Sequence, residues 1–192
     1  MKTILAVFFL ASAGSAWAQS GELWFDAGAS LLSSGLGGAT PNDFHFTDGF
    51  RFGFRFTFNT REYMGHEIQY AYSRTHLKSD SLAADFGGMA IHQGGYNFLL
   101  YARPMDARIR PFGTVGVEFA NYVPPGSSAA YGGGSTKFGF NYGAGVKVKL
   151  TSIWAARFDV RQYTTPKPDF GLGNLSGWIH QNEVSGGVGI YF

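Results

Sequence analysis

The chain has no cysteine, little net charge and no long apolar run beyond its first residues. Without cysteine there is no disulfide framework, no thiolate metal site and no thiol nucleophile. The formal net charge is +2 and the charges are scattered, which argues against a nucleic-acid partner. No later stretch reaches the ~18 apolar residues of a membrane-spanning helix, so a helical membrane protein is excluded. Glycine (28 residues) and aromatic side chains (17%) are abundant instead, a combination typical of all-β proteins.

The first residues contain the three parts of a secretory signal peptide. Lys2 supplies the positive charge, residues 4–10 form the apolar segment, and Ala16, Trp17 and Ala18 form an A-x-A cleavage site. The alternative is an uncleaved hydrophobic core segment. We expect residues 1–18 to be a cleaved signal peptide and residues 19–192 to form one domain.

Residues 50–58 carry the clearest pattern in the chain, with phenylalanine at every even position. The odd positions are Arg51, Gly53, Arg55 and Thr57. Successive side chains of a β-strand point to opposite faces, so the five phenylalanines share one face and both arginines lie on the other. Five large aromatic residues on one face suit a surface in contact with lipid. The alternative for this segment is ordinary packing in a soluble β-protein.

Eight segments show the same period of two. We predict strands at residues 22–32, 50–58, 64–77, 89–101, 110–122, 138–150, 154–164 and 182–192. The connections alternate: residues 59–63, 102–109 and 151–153 are short, whereas residues 33–49, 78–88, 123–137 and 165–181 are long. Short turns at one end, long loops at the other and an even strand count are typical of outer-membrane barrels. The sequence therefore predicts an all-β fold, an eight-stranded antiparallel up-and-down transmembrane β-barrel.

The alternation also places many charged side chains on the inner face of the predicted barrel. An arginine or lysine facing lipid at the bilayer midplane costs about 2–4 kcal/mol, so these residues face inward. The interior of an eight-stranded barrel has room for side chains and little else, which argues against a wide pore. The arginines of residues 50–58 are expected to pair with Asp26 or Glu67 on the neighbouring strands. We predict a charge network in the lumen formed by Asp26, Arg51, Arg55, Glu67, Glu118, Lys147, Arg157, Asp159, Arg161 and Glu183.

The chain resembles the small eight-stranded outer-membrane barrels, the OmpA/OmpX-like porin-family proteins of Gram-negative bacteria. The resemblance rests on the signal peptide, the eight segments, the loop pattern and the ending Val184-Ser-Gly-Gly-Val-Gly-Ile-Tyr-Phe192. In that family such an ending is read by the barrel-assembly machinery, and Val188, Ile190 and Phe192 match it by position. The resemblance implies a monomer in the bacterial outer membrane, in contact with outer-membrane lipid. It names no ligand for the surface loops.

Some barrels of this membrane are enzymes that modify lipid A, and His180 is the candidate here for such catalysis. In the deacylases of that group a serine follows the histidine by two residues, but this chain has Asn182 there. Ser185 lies five residues from His180, ~16 Å along an extended strand. Five scattered histidines do not make a zinc site. We therefore predict no catalytic, metal-binding or cofactor-binding residue.

Aromatic residues near the predicted strand ends suit the girdles that line membrane interfaces. They are Tyr63, Tyr101, Tyr122, Trp154, Tyr163 and Trp178. For function, the filled lumen favours a structural or envelope role, or interactions made by the surface loops. A narrow channel for small solutes or ions is the alternative, indicated by the charged lumen and the inward glycines. A lipid A-modifying enzyme is the second alternative.

Overall fold

The computed structural model describes residues 20–33, 44–79, 83–127, 133–168, 170 and 177–192. The predicted signal peptide, residues 1–18, and the predicted mature start at Gln19 lie outside these ranges. Within them, no helix is long and apolar enough to cross a membrane.

In the described part of the chain, nine antiparallel strands form one sheet. They are β1 (Ser20–Ser33), β2 (Phe44–Phe46), β3 (Gly49–Arg61), β4 (Met64–Ser79), β5 (Ala84–Tyr101), β6 (Ile109–Val123), β7 (Ser135–Lys149), β8 (Trp154–Pro166) and β9 (Trp178–Tyr191). Consecutive long strands pair with each other, and β1 pairs with β9, so eight strands close into a barrel. The predicted eight-stranded antiparallel barrel is confirmed.

The pairing of β1 with β9 closes the barrel. The start of β1 and the last residue of the chain meet at the end of the barrel that carries the short turns. The backbone amide of Gly21 donates to the carbonyl of Phe192 at 2.9 Å, and the amide of Phe192 donates back to Gly21 at 2.9 Å. A Cβ on Gly21 would lie 2.6 Å from the Phe192 ring, so the ring occupies the space that a side chain at position 21 would fill. The last residue therefore packs directly on the first strand.

The two faces of β3 are those predicted. Phe50, Phe52, Phe54 and Phe56 point outward and are 39–53% exposed, whereas the arginines between them are buried in the barrel. An outer surface of large apolar side chains over a charged interior is the reverse of a soluble protein and is expected for a barrel in lipid.

The predicted loop at residues 78–88 is wrong over most of its length, because β4 continues to Ser79 and β5 begins at Ala84. The extra ladder includes the pair of Lys78 with Asp85, after a register shift beside Gly87, which has φ +105°. Polar residues replace apolar ones on the outward face here, so no apolar alternation marks these strand ends in the sequence.

The short strand β2 lies inside the predicted long loop 33–49. It pairs with the end of β4, where Phe44 is opposite Ser79 and Phe46 is opposite Leu77. Three residues are too few to show a period of two, so the sequence could not reveal this strand.

Candidate functional site in the barrel interior

Glu67 on β4 lies at the centre of one half of the interior network. Its carboxylate accepts hydrogen bonds from Arg157 Nη1 at 2.6 Å and from Arg161 Nη2 at 2.8 Å. Asp159, between those arginines on β8, accepts from Arg157 Nη2 at 2.9 Å and from Arg161 Nη2 at 3.0 Å. Because β4 and β8 are four strands apart in either direction around the barrel, these ion pairs cross the whole lumen.

Arg55 on β3 is the centre of the other half. Its Nε lies 3.3 Å from Asp26 Oδ2, its Nη1 lies 2.9 Å from Asp159 Oδ1, and its Nη2 donates to Glu183. Arg51 Nε lies 3.1 Å from Glu183 Oε2. Asp159 contacts arginines of both halves, so the two halves form one continuous central layer of ion pairs.

The pairing inside the central layer differs in part from the prediction. Arg55 contacts Asp26, as expected for a neighbouring strand. Arg51 contacts Glu183 instead, and Glu67 is bound by the arginines of the opposite strand. The lumen is narrow enough for long side chains to meet across it. Two charged residues at the same level along the barrel axis can therefore pair even when their strands are not adjacent.

Glu118 lies apart from the other carboxylates of the predicted network. Gln93 Nε2 donates to its Oε2 at 3.5 Å, and its Oε1 has no hydrogen-bond partner among the described residues. The side chain is nonetheless buried on the inner face of β6. Burial with one unpaired oxygen makes Glu118 the least satisfied member of the predicted set.

Lys147 belongs to a separate layer at the end of the barrel that carries the short turns. Its Nζ donates to Glu22, and to the hydroxyl of Tyr101 at 2.9 Å. Trp24 Nε1 also donates to Glu22, at 2.8 Å, and the guanidinium of Arg110 lies 3.4 Å from the centroid of the Tyr101 ring. This short-turn layer closes the lumen with a buried charge pair packed among aromatic rings.

An apolar layer closes the opposite end, where the long loops leave the barrel. The ring of Phe46, supplied by β2, stacks on Tyr122 with centroids 6.0 Å apart. The loop-end layer consists of Phe46, Leu77, Met89, Ile91, Ala120, Tyr122 and Ile179. The strand β2 therefore extends the barrel wall beside β4 and directs the side chain of Phe46 into the interior.

The ten residues of the predicted network are all inside, and none is more than 6% exposed. The loop-end layer lies on one side of the central layer, and the short-turn layer, which includes Lys147, lies on the other. In the parts of the chain that the structure describes, no group of three or more histidine, cysteine, aspartate or glutamate side chains could hold a metal ion. The described charged side chains of the interior are thus almost fully buried and are held mainly by ion pairs and hydrogen bonds to one another.

The predicted aromatic girdle is correct for three residues and wrong for three. Tyr63, Trp154 and Trp178 are exposed on the outside, but Tyr101, Tyr122 and Tyr163 are buried inside. Each of these inward tyrosines lies an even number of residues from the other inward residues of its strand. The alternation of the sequence therefore predicts that it points inward. The same signal places Glu22 and Arg110 inside, and the predicted network lacks both.

The two residues considered for catalysis point in opposite directions. Ser185 is buried inside the barrel, where its hydroxyl donates to Glu183. His180 is on the other face of β9, where its Nδ1 lies 3.2 Å from Thr164 Oγ1. A nucleophile and its base must be within hydrogen-bond reach, so these two side chains do not form a catalytic pair.

The three residues matched to the assembly signal lie on the outward face of β9 and just beyond it. Val188 is 53% exposed and Phe192 is 67% exposed, and Ile190 is half-buried between them. Val188 pairs with Phe25 and Ile190 pairs with Leu23 on β1. The three side chains form an apolar row on the outer surface, next to the pairing of β9 with β1.

Known structures share this fold at low sequence identity. OprG from Pseudomonas aeruginosa matches with a TM-score of 0.61 and 12% identity, covering 92% of this chain and 98% of that chain. Neisserial surface protein A matches with a TM-score of 0.60 and 15% identity, covering 90% of this chain and 97% of that chain. AlkL, solved in lipid bilayers, matches with a TM-score of 0.58 and 15% identity, covering 94% and 93%.

The sequence comparison gives the family. No curated protein sequence matches the chain. Residues 3–192 match the family model described as the outer membrane protein beta-barrel domain. That match spans almost the whole chain. It agrees with the closed barrel and with its outer surface of exposed apolar side chains. The chain belongs to the outer membrane protein beta-barrel family.

Proposed function

We propose that the protein is a non-enzymatic barrel of the bacterial outer membrane with a closed interior, and that it acts as an envelope component or through its long loops. The observation that supports this proposal is the set of ion pairs across the lumen, from Glu67 to Arg157 and Arg161. Opening a path there would separate buried opposite charges. Such a separation is unfavourable, because a buried charge that loses its partner destabilises a protein by about 3–5 kcal/mol.

Planar-bilayer recording tests the closed interior. We expect the folded wild-type protein to give no conductance steps, with heat-modifiable gel mobility of the same sample showing that it is folded. Reproducible steps from folded wild-type protein would contradict a closed interior.

A narrow channel is a second candidate, supported by the wall around Gly116. Asn97 and Asn141 pair with Gly116 from either side, and Thr114 and Glu118 lie two residues before and after it. Each of these four buried side chains has an oxygen without a hydrogen-bond partner among the described residues. Such oxygens bind water in buried sites, and a row of water would give a thin polar path beside the ion pairs.

The substitution Glu118→Ala tests the channel candidate. If the protein conducts, we expect this variant to change the size or ion selectivity of the steps, because it removes a carboxyl group from the wall. Glu62→Ala, in the exposed turn between β3 and β4, is the control and should leave them unchanged. A silent wild-type protein would reject the channel.

Lipid A modification is not expected, because His180 and Ser185 lie on opposite faces of β9. Mass spectrometry of lipid A from cells with and without the protein should give identical spectra. A mass difference that depends on the protein would overturn the non-enzymatic role.

The exposed outward side chains at the end of β9 indicate a partner during biogenesis. We propose that Val188, Ile190 and Phe192 form the signal for the barrel-assembly machinery and that the mature protein is a monomer surrounded by outer-membrane lipid. Light scattering of the detergent-purified protein should give the mass of one chain plus micelle. A mass of two or more chains would contradict the monomer.

A further inference from the structure

The outward face of β4 changes character near the long loops. Arg74, His76 and Lys78 follow one another on this face, and their side chains are exposed or half-buried. The positions before them on the same face are apolar or aromatic: Met64, His66, Ile68, Tyr70 and Tyr72. The lipid-facing band of this strand therefore ends at Tyr72, and basic side chains begin at Arg74.

The length of that band places Arg74 at the level of lipid headgroups. From Met64 to Tyr72 there are eight residue steps, which correspond to about 27 Å along a strand. A strand tilt of about 40° reduces this to about 20 Å along the barrel axis, close to the apolar band of about 25 Å in outer-membrane barrels. Arg74 is the next outward residue toward the loop end.

The guanidinium of Arg74 is held in a defined position. Its cross-strand partner on β5 is Ala90, but the side chain leans over Gly88, two residues nearer the long loops. A Cβ on Gly88 would lie 2.4 Å from Arg74 Nη2, so a larger residue at position 88 would displace the guanidinium from this position. Arg74 Nη1 also donates to the Tyr72 hydroxyl at 3.3 Å. The charge is thus directed away from the hydrocarbon and toward the headgroups.

The neighbouring charges differ in their partners. Lys78 Nζ lies 3.8 Å from Asp85 Oδ2, and His76 Nδ1 lies 3.1 Å from the same oxygen. Gly87 fixes that carboxylate by donating its amide to Asp85 Oδ1 at 2.8 Å. Arg74 instead bonds to the neutral Tyr72. The patch therefore keeps a positive charge at Arg74, whereas Lys78, four residues further along the strand, is paired with Asp85.

We propose that Arg74, whose guanidinium lies over Gly88 and is bonded to Tyr72, binds a phosphate group on the headgroup of an outer-leaflet glycolipid. A planar guanidinium offers paired donors to phosphate oxygens, and basic side chains next to the apolar band meet anionic headgroups. The inference rests on the proposed location in the outer membrane, but not on the closed interior.

Lipid binding to the purified full chain tests this site. Native mass spectrometry in a neutral detergent would compare lipid A that carries two phosphates with the same lipid after its phosphates are removed. We expect the phosphorylated lipid to bind wild-type protein about tenfold more tightly than Arg74→Gln or Gly88→Val, a difference of about 1.4 kcal/mol. Arg61→Gln is the matched control, because Arg61 is an exposed arginine at the short-turn end, and it should bind like wild type.

Several outcomes would overturn the proposal. Equal binding by wild type and both site variants would remove the site, and an equal loss in Arg61→Gln would show unspecific charge attraction. Equal binding of the dephosphorylated lipid would show recognition of acyl chains alone, and displacement by inorganic phosphate would identify a free-phosphate site. Heat-modifiable mobility establishes that each variant is folded. Fractionation of cells tests the membrane location separately, so failure of the location and failure of the site are distinguishable.

Discussion

Arg55 contacts three carboxylates inside the barrel, those of Asp26, Asp159 and Glu183. All four side chains are buried. An exposed ion pair would contribute only about 0–1 kcal/mol to the stability of the fold. A buried pair differs, because removing one partner leaves the other charge without compensation. Single charges inside this barrel are therefore coupled to several others.

The substitution Arg55→Leu should destabilise the barrel by about 3–5 kcal/mol, because it leaves three buried carboxylates with less positive charge. Denaturant unfolding of the protein in lipid vesicles measures this change. Arg61→Leu, at the exposed end of β3, serves as the control and should change stability by less than about 0.5 kcal/mol. Equal stability of both variants would show that the interior ion pairs do not contribute.

At the scale of the element, β3 shows how one strand serves two environments. Its phenylalanines cover the outside and its arginines enter the central layer, without any irregularity between residues 50 and 58. A shift of one residue would exchange the two faces and place both arginines in lipid. The register of β3 is therefore fixed by the cost of misplacing charge.

Phe54→Arg should impair insertion, because it puts a charge on the lipid face at a cost of about 2–4 kcal/mol near the bilayer midplane. Folding into vesicles, followed by heat-modifiable gel mobility, reports the inserted fraction. Phe54→Leu keeps the face apolar and should insert normally. If Phe54→Arg inserted as well as Phe54→Leu, the assignment of the two faces would be wrong.

The end of β9 gives a second prediction at this scale. Deletion of Phe192 should lower the amount of barrel in the outer membrane, because it removes the exposed terminal ring and its two hydrogen bonds to Gly21. Immunoblotting of membrane fractions measures the amount. Phe138→Ala, an outward phenylalanine away from the terminus, is the control and should assemble at the wild-type level. An unchanged level after the deletion would remove Phe192 from the assembly signal.

At the scale of the whole molecule, the interior is electrically balanced. Six acidic and six basic side chains are buried among the described residues, so their formal charges cancel. The loop-end and short-turn layers separate these charges from bulk solvent at both ends. A balanced and enclosed set of charges interacts little with dissolved ions.

We therefore expect the stability of the barrel to be nearly independent of salt. Between about 0.01 M and about 1 M salt the Debye length falls from about 30 Å to about 3 Å, which weakens exposed ion pairs but not enclosed ones. The denaturation midpoint in uncharged lipid vesicles should stay constant over this range. A clear fall of the midpoint with salt would show that ions reach the central layer.

Several features of the site follow from alternation alone. It places the ten predicted charges inside, and applied consistently it also gives the inward Tyr101, Tyr122 and Tyr163. It does not give the partner of each charge. Glu67 bonds to arginines on the far side of the lumen, and this pairing depends on how the strands are staggered around the barrel.

The sequence by itself determined the eight long strands and their two faces, because a period of two is a local property of the backbone. The tertiary structure decided which charges meet, that β2 pairs with the end of β4, and that Arg74 leans over Gly88. Those features depend on the height of each residue in the closed barrel and on the paths of the connections. Both are set by contacts between distant parts of the chain.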